Sequence, residues 1–260
     1  MSFMDAGGNN VYYHVPVHRL IHDIASYLDL GVNFEIYINS DFIDDHRHGC
    51  IEMINREFRK MKAGKRIHGP FLDLAPASPD ARIRDISKQR MLSGIRLCRA
   101  LECDNIVLHS HYDPVYHKRH KPDWQRYADM VWADVEALSK ELGITVNIEN
   151  SEDDNPQAIF YLLDKYPSFK ACFDIAHYTV FGLAHWKDIF DLYPKGSVNE
   201  IHISDNDTTE DQHLVLGQGF VDIKGLLRGL LLAGNKAAIT VEPHSKTDMI
   251  KDVEYMRNFS

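Results

Sequence analysis

Cys172-Phe173-Asp174-Ile175-Ala176-His177 ends an apolar, strand-like run in a carboxylate and sets an imidazole three residues beyond it. Similar runs lie on both sides. Upstream are Ile67-His68, Val107-Leu108-His109 and Asn147-Ile148-Glu149; downstream are Glu200-Ile201-His202 and Ile239-Thr240-Val241-Glu242. Each closes on a side chain that can bind a metal. A ligand at the carboxyl end of strand after strand is what a parallel β/α barrel produces when it builds a metal site at one mouth.

Working outward, strand-like segments fall at 11–15, 32–38, 66–71, 105–110, 145–150, 170–174, 199–204 and 237–242. Helical periodicity fills the gaps. In 123–142, Trp124, Tyr127, Val131, Val135, Leu138 and Leu142 share one face, and Gly143 follows as a C-cap. Asn155-Pro156 reads as an N-cap with proline at the first helical position. Asp222 caps 223–233, and Gly234 ends that helix. Strand and helix alternating eight times predict an α/β chain folded as a single (β/α)8 barrel over 11–260. The Gly/Asn-rich stretch 1–10 is expected to be a loose end. A doubly wound open sheet is the rival, but it gathers its site at one crevice and needs no ligands from six successive strands.

Composition bounds function loosely. The chain has 260 residues, 44% of them hydrophobic, and a net charge of −9. No global basic field draws in nucleic acid, although a local basic groove is compatible with that balance. Cys50, Cys98, Cys103 and Cys172 form no CxxC pair and read as reduced, mostly buried thiols. No apolar stretch is long enough to span a bilayer, and no basic-then-apolar leader opens the chain, so a cytoplasmic protein is expected. Histidine is the unusual entry in the composition, with 15 copies.

Glu149, Asp174, His202 and Glu242 end the fifth to eighth strands. Two glutamates, an aspartate and an imidazole suit a divalent ion such as Mn, Mg, Fe, Co or Zn. Each alone reads as a capped loop residue; at equivalent places on consecutive strands they read as a site. His177 faces the same cavity from the loop after Asp174. Asp211 and His213, as Asp-x-His, point to one side of an extended segment, with a polar surface loop as the competing reading. His68 and His109 end the third and fourth strands as ligands or substrate contacts, although each could simply hydrogen-bond a neighbouring loop. His111 shares the face of His109 if that strand continues. His14, His18, His117, His120, His185 and His244 read as surface or supporting residues, while His46 and His48 could reach the mouth.

These residues resemble the xylose-isomerase-like TIM-barrel superfamily, which holds sugar and sugar-phosphate isomerases and epimerases and the type IV apurinic endonucleases. The resemblance runs from about the second strand to the C-terminus. Its most specific pieces are Phe173-Asp174-Ile175-Ala176-His177, His202-Ile203-Ser204-Asp205, the run from Asp211 to Gly219, and Val241-Glu242-Pro243. It implies that Glu149, Asp174, His202 and Glu242 bind a shared metal. In the endonuclease branch, positions matching His68, His109, His177, Asp211 and His213 complete a three-zinc site, and all nine ligand types are present here. The segment from His68 to Ala75 lacks the tyrosine and asparagine of the nuclease motif and is one residue shorter. The loop from His202 to Asp211 is also shorter, lacks the nuclease lysine, and carries an acidic run (Asp205, Asp207, Glu210, Asp211) that would repel a phosphodiester backbone.

The expected activity is therefore a divalent-metal-dependent sugar or sugar-phosphate isomerase or epimerase. Glu149 and Glu242 would exchange a proton beside a carbonyl through a metal-held enediolate. His68, His109 and His177 would bind hydroxyls. Gly217 and Gly219, with the helix start near Asp222, would form a sugar or phosphate seat, a tight turn being an equally good reading of the glycines. The alternatives are a multi-zinc phosphodiesterase acting on nucleic acid and a barrel that binds carbohydrate without turning it over. The partner is expected to be a small carbohydrate, with no membrane role; a homo-oligomer is compatible with the sequence.

Overall fold

The computed structural model describes residues 10–45 and 48–259. The expectations for 1–9, for His46 and for the side chain of His48 lie outside the described residues. Eight parallel strands close in sequence order into a barrel: β1 Val11–Pro16, β2 Asn33–Tyr37, β3 Lys65–His68, β4 Asn105–His109, β5 Thr145–Glu149, β6 Lys170–Asp174, β7 Val198–Ile203 and β8 Ala238–Val241. β8 pairs back with β1, so no edge remains open.

The strands sort their side chains with period two. Phe34, Ile36, Ile67, Ile106, Leu108, Val146, Ile148, Phe173, Ile201 and Ile239 form one continuous apolar core with the helices around the barrel. The other face is polar. Along the sheet the register sets His14 beside Glu35, Glu35 beside Arg66, His109 beside Glu149, Asp174 beside His202 and His202 beside Thr240. Contacts between strands that are not neighbours show that these side chains point into the barrel. His202 on β7 reaches Glu35 on β2, and Arg66 on β3 reaches Glu200 on β7 at 3.2 Å.

Local chemistry sets the element ends. β3 stops at His68, short of the expected 71. The Gly69 amide still reaches the Val107 carbonyl, but Pro70 has no N–H to extend the ladder. The helix Lys121–Leu142 starts two residues before the expected 123, because Pro122 is tolerated in a first turn. It buries Trp124, Ala128, Val131, Trp132 and Val135, and ends at Gly143 in the left-handed region. The next helix, Gln157–Lys165, begins after Pro156, with the Asn155 side chain accepting the Gln157 amide at 3.0 Å. Asp222 caps Ile223–Leu232 through the Gly225 amide, as expected. The four cysteines are free and three are buried. Among the described residues no helix is long and apolar enough to cross a membrane.

The C-terminal helix, Lys246–Asn258, carries a buried acid. Asp252 accepts the Leu216 amide at 2.8 Å, and burial, with Asp248 adding to it, pushes its carboxyl up to about 7 from an ordinary 3.8. Above the ordinary value the folded state therefore binds more protons than the unfolded one, and stability falls as pH rises from about 4 through 7. Asp252→Asn keeps the acceptor oxygen and removes the slope. Thermal melts should show the variant gaining on the parent between pH 4 and pH 8; a constant difference would refute the assignment.

Candidate functional site

Strands β5 to β8 deliver Glu149, Asp174, His202 and Glu242 to the carboxyl-terminal mouth, all buried. Glu149 is the hub. One of its oxygens lies 3.2 Å from His68 Nε2 and 3.3 Å from His109 Nε2; the other lies 3.1 Å from His202 Nδ1 and 3.7 Å from His177 Nδ1. Glu242 Oε1 is also 3.1 Å from His202 Nδ1. One ligand atom from each of His68, Glu149, His202 and Glu242 falls within 4.8 Å of the others. The same holds for Glu149, Asp174 and His177, and for His177, Asp211 and His213. Eight of the nine residues proposed from the sequence thus join overlapping clusters, and the ninth, His109, stands against Glu149. Phe71 stacks on the His109 ring at 4.6 Å.

The hydrogen positions follow from the acceptors. His68 Nδ1 is 2.9 Å from the Gly69 carbonyl, His177 Nδ1 is 2.7 Å from the Asn150 carbonyl, and His213 Nδ1 is 3.1 Å from the Glu242 carbonyl. A carbonyl only accepts, so Nδ1 carries the hydrogen in all three rings. Their Nε2 atoms then face carboxylates: Glu149 for His68, and Asp211 Oδ2 for His177 and His213, at 3.3 and 3.0 Å. A bare nitrogen lone pair against a carboxylate is repulsive unless a proton or a metal cation joins them. Three buried carboxylate oxygens of the site, Asp174 Oδ2, Asp211 Oδ1 and Glu242 Oε2, have no hydrogen-bond partner among the described residues. Imidazoles aimed by main-chain carbonyls, with free carboxylate oxygens between them, are a donor set that fits a divalent cation.

Without a cation, protons on the imidazoles hold the charge together. Burial opposes ionisation of Glu149, but His202 and His109 outweigh it and keep this carboxyl well below its usual range. Glu242 is brought down to about 2 against the same burial, mainly by His202. Asp174 goes the other way, to about 7, because burial and the neighbouring Glu242 and Glu149 outweigh His177. His202 is raised well above its ordinary value: burial lowers it, and Cys172, Glu149 and Glu35 more than compensate.

The mouth opens into a cavity of about 1120 Å³. His14, Arg19, His213 and His244 line it, together with Phe71, Leu72, Tyr112, Tyr116 and Phe181. His111 enters by a different route from the one expected. β4 ends at His109, and His111 adopts a left-handed φ of 52° that brings its ring to the cavity. Burial, with His109 and His68, drives its imidazole down to about 3, and its Nε2 has no partner among the described residues.

The two glycines lie in the turn that is the alternative reading of them. Neither Gly217 nor Gly219 lines the cavity. Both amides donate to Asp205 Oδ2 at 2.9 Å, while Asn206 and Val221 donate to Oδ1 at 3.0 Å. Glycine is required at 219, where a Cβ would stand 2.3 Å from the Asn206 carbonyl oxygen. Asp205 is fully buried and tethers this loop, so it does not belong to an acidic surface facing substrate. Asp207 likewise bonds Thr209 and Gln212. The helix start near Asp222 is occupied by its own cap. Asp205→Ala should cost about 2–3 kcal/mol, because four amides lose their acceptor. Denaturant melts measure this, and an unchanged midpoint would contradict it.

Sequence reading missed Glu35, Glu200 and Arg66. Glu200 lies under the site, ion-paired with Arg66 and hydrogen-bonded by Asn147 and Thr240. The alternation Asn33-Phe34-Glu35-Ile36-Tyr37 carried the signal for Glu35: in a strand with alternate apolar positions, the acid faces the opposite side, into the barrel.

A closed eight-stranded barrel with a cluster of histidines and carboxylates at its carboxyl-terminal mouth defines the class. Residues 43–259 match the family model described as xylose isomerase-like TIM barrel, and the chain belongs to that family. An uncharacterized protein of Methanocaldococcus jannaschii, MJ1311, is 22% identical over 209 residues, covering 74% of this chain and 69% of that one. The TTHB071 protein from Thermus thermophilus, solved after soaking with ZnCl2, has a TM-score of 0.78 and 23% identity, covering 95% of this chain and 96% of that one. A D-tagatose 3-epimerase-like protein has a TM-score of 0.77 and 20% identity over the same shares. Likeness at these identities shows a common fold.

Proposed function

We propose that this protein is a divalent-metal-dependent isomerase or epimerase of a sugar or sugar phosphate. The observation that carries the reading is the pair Glu149 and Glu242, from β5 and β8, both 3.1 Å from His202 Nδ1 at the floor of a large cavity. Glu149, Asp174, His202 and Glu242 would hold the ion; when bound, it supplies positive charge that polarises a carbonyl beside the C–H to be broken. The two glutamates do the proton work. One, ionised, takes the proton next to the carbonyl, and the other, protonated when substrate is bound, gives a different proton to the opposite face, which inverts that carbon. Both are ionised in the metal-free protein, so either can be the acceptor, and the donor takes up its proton from solvent before delivering it. His68, His109 and His177 line the cavity and would contact the substrate, and His111 adds a neutral imidazole whose Nε2 is unpaired among the described residues, as a hydroxyl partner. The D-tagatose 3-epimerase-like structure supports a ketose as the first substrate to try.

The test is conversion of a ketohexose panel, followed by NMR. Epimer formation should vanish in chelator and return with Mn²⁺, Co²⁺ or Zn²⁺. No conversion of any free or phosphorylated ketose would overturn the reading.

One observation favours a second reading. His177, Asp211 and His213 form a cluster of their own beside the first. A multi-zinc phosphodiesterase would use both clusters to activate water and stabilise the leaving oxygen. Chelator-sensitive cleavage of a duplex with an abasic site, in place of epimerisation, would establish it.

A further inference from the structure

His202 differs from the other histidines of the site in what holds it. The rings of His68, His177 and His213 are each aimed by a main-chain carbonyl. His202 Nε2 instead faces a carboxylate oxygen, Oε2 of Glu35, at 3.3 Å. Glu35 comes from β2 and reaches across the barrel to β7. Both residues are fully buried, and Glu35 does not line the cavity. Its other oxygen lies 3.3 Å from His14 Nδ1. Beneath it, Arg66 pairs with Glu200 at 3.2 Å, and Thr240 and Asn147 take up the rest of the Glu200 carboxylate.

A buried carboxylate with this placement is an expensive way to fill a barrel. It caps no helix and donates nothing to the cavity. It does face the one nitrogen of His202 that points away from Glu149 and Glu242.

We propose that Glu35 is the positioning residue of the site: it keeps the hydrogen of His202 on Nε2 and turns the Nδ1 lone pair up between Glu149 and Glu242. The proposal rests on the reading of His202 as a metal ligand. A ligating imidazole whose far nitrogen donates to a carboxylate is fixed in ring orientation and made a stronger donor, an effect worth about 10- to 100-fold in metal affinity. His14 then holds the second oxygen of Glu35, so that the carboxylate cannot swing out of reach.

The experiment measures Zn²⁺ affinity of the parent, Glu35→Ala and Glu35→Gln by competition with a chelating dye, with thermal melts alongside. In parallel, ¹⁵N–¹H correlation spectra of the Zn²⁺-loaded parent locate the hydrogen on His202. Glu35→Ala should bind Zn²⁺ about 10- to 100-fold more weakly. Glu35→Gln, which keeps an acceptor oxygen, should recover most of that loss. The parent spectrum should show an Nε2–H on His202 and none on Nδ1. A folded Glu35→Ala with parental affinity would overturn the proposal, as would a hydrogen on Nδ1. A loss in Glu35→Gln as large as in Glu35→Ala would also overturn it, since it would make Glu35 a ligand. If Glu35→Ala does not fold, Glu35→Gln and the parent spectrum decide. A parent that binds no Zn²⁺ would instead sink the metal reading itself.

Discussion

Glu149→Gln should lower turnover by about 10³-fold while leaving the barrel folded. The glutamine is isosteric and stays within reach of His68 and His109, so the packing of β5 is preserved. What disappears is the carboxylate that His202 and His109 keep ionised. The same change at Glu242 should have a comparable effect on turnover, yet the two variants should differ in a diagnostic way. If each glutamate serves one face of the substrate, Glu242→Gln should still exchange the proton of the epimer that faces Glu149, without forming the other epimer. Glu149→Gln should show the converse. Full activity in either variant would remove the two-glutamate assignment.

His202→Ala should have the largest effect on stability. The imidazole stands between Glu149 and Glu242 on one edge and Glu35 on the other, all buried. Its removal leaves three carboxylates without their central cation, a loss of roughly 3–5 kcal/mol. The sign with pH follows from linkage. His202 is raised well above 6.5 when folded, so its contribution is full below that value and declines as pH rises from there through the raised one. The gap between parent and variant in chelator should therefore be widest near pH 5 to 6 and narrow toward pH 8 in urea melts. A gap that widens between pH 7 and pH 8 would contradict the account.

Much of this is legible in the chain because two periodicities coincide. Ile67-His68, Val107-Leu108-His109 and Asn147-Ile148-Glu149 each place an apolar residue outward and an imidazole or carboxylate inward at the strand end, which marks both the barrel and its mouth. Glu35 escapes because it lies in mid-strand, where no end marks it, and its partner His202 is 167 residues away. The Gly217–Gly219 turn suggests a ligand seat because a glycine pattern reports close approach without saying what approaches. Here it is Asp205 and the Asn206 carbonyl. Asp211 and His213 can be placed together by Asp-x-His spacing, but their meeting with His177 depends on the loop after β7 folding back over the mouth.

The most direct test of the central claim is solvent exchange. The metal-loaded protein is incubated with a ketohexose in D2O, and the recovered sugar is read by NMR. The account predicts deuterium at the carbon next to the carbonyl in step with epimer formation, both absent in chelator. Epimer formed with no deuterium uptake, or no exchange from any ketose or ketose phosphate with the ion in place, would contradict proton transfer by Glu149 and Glu242.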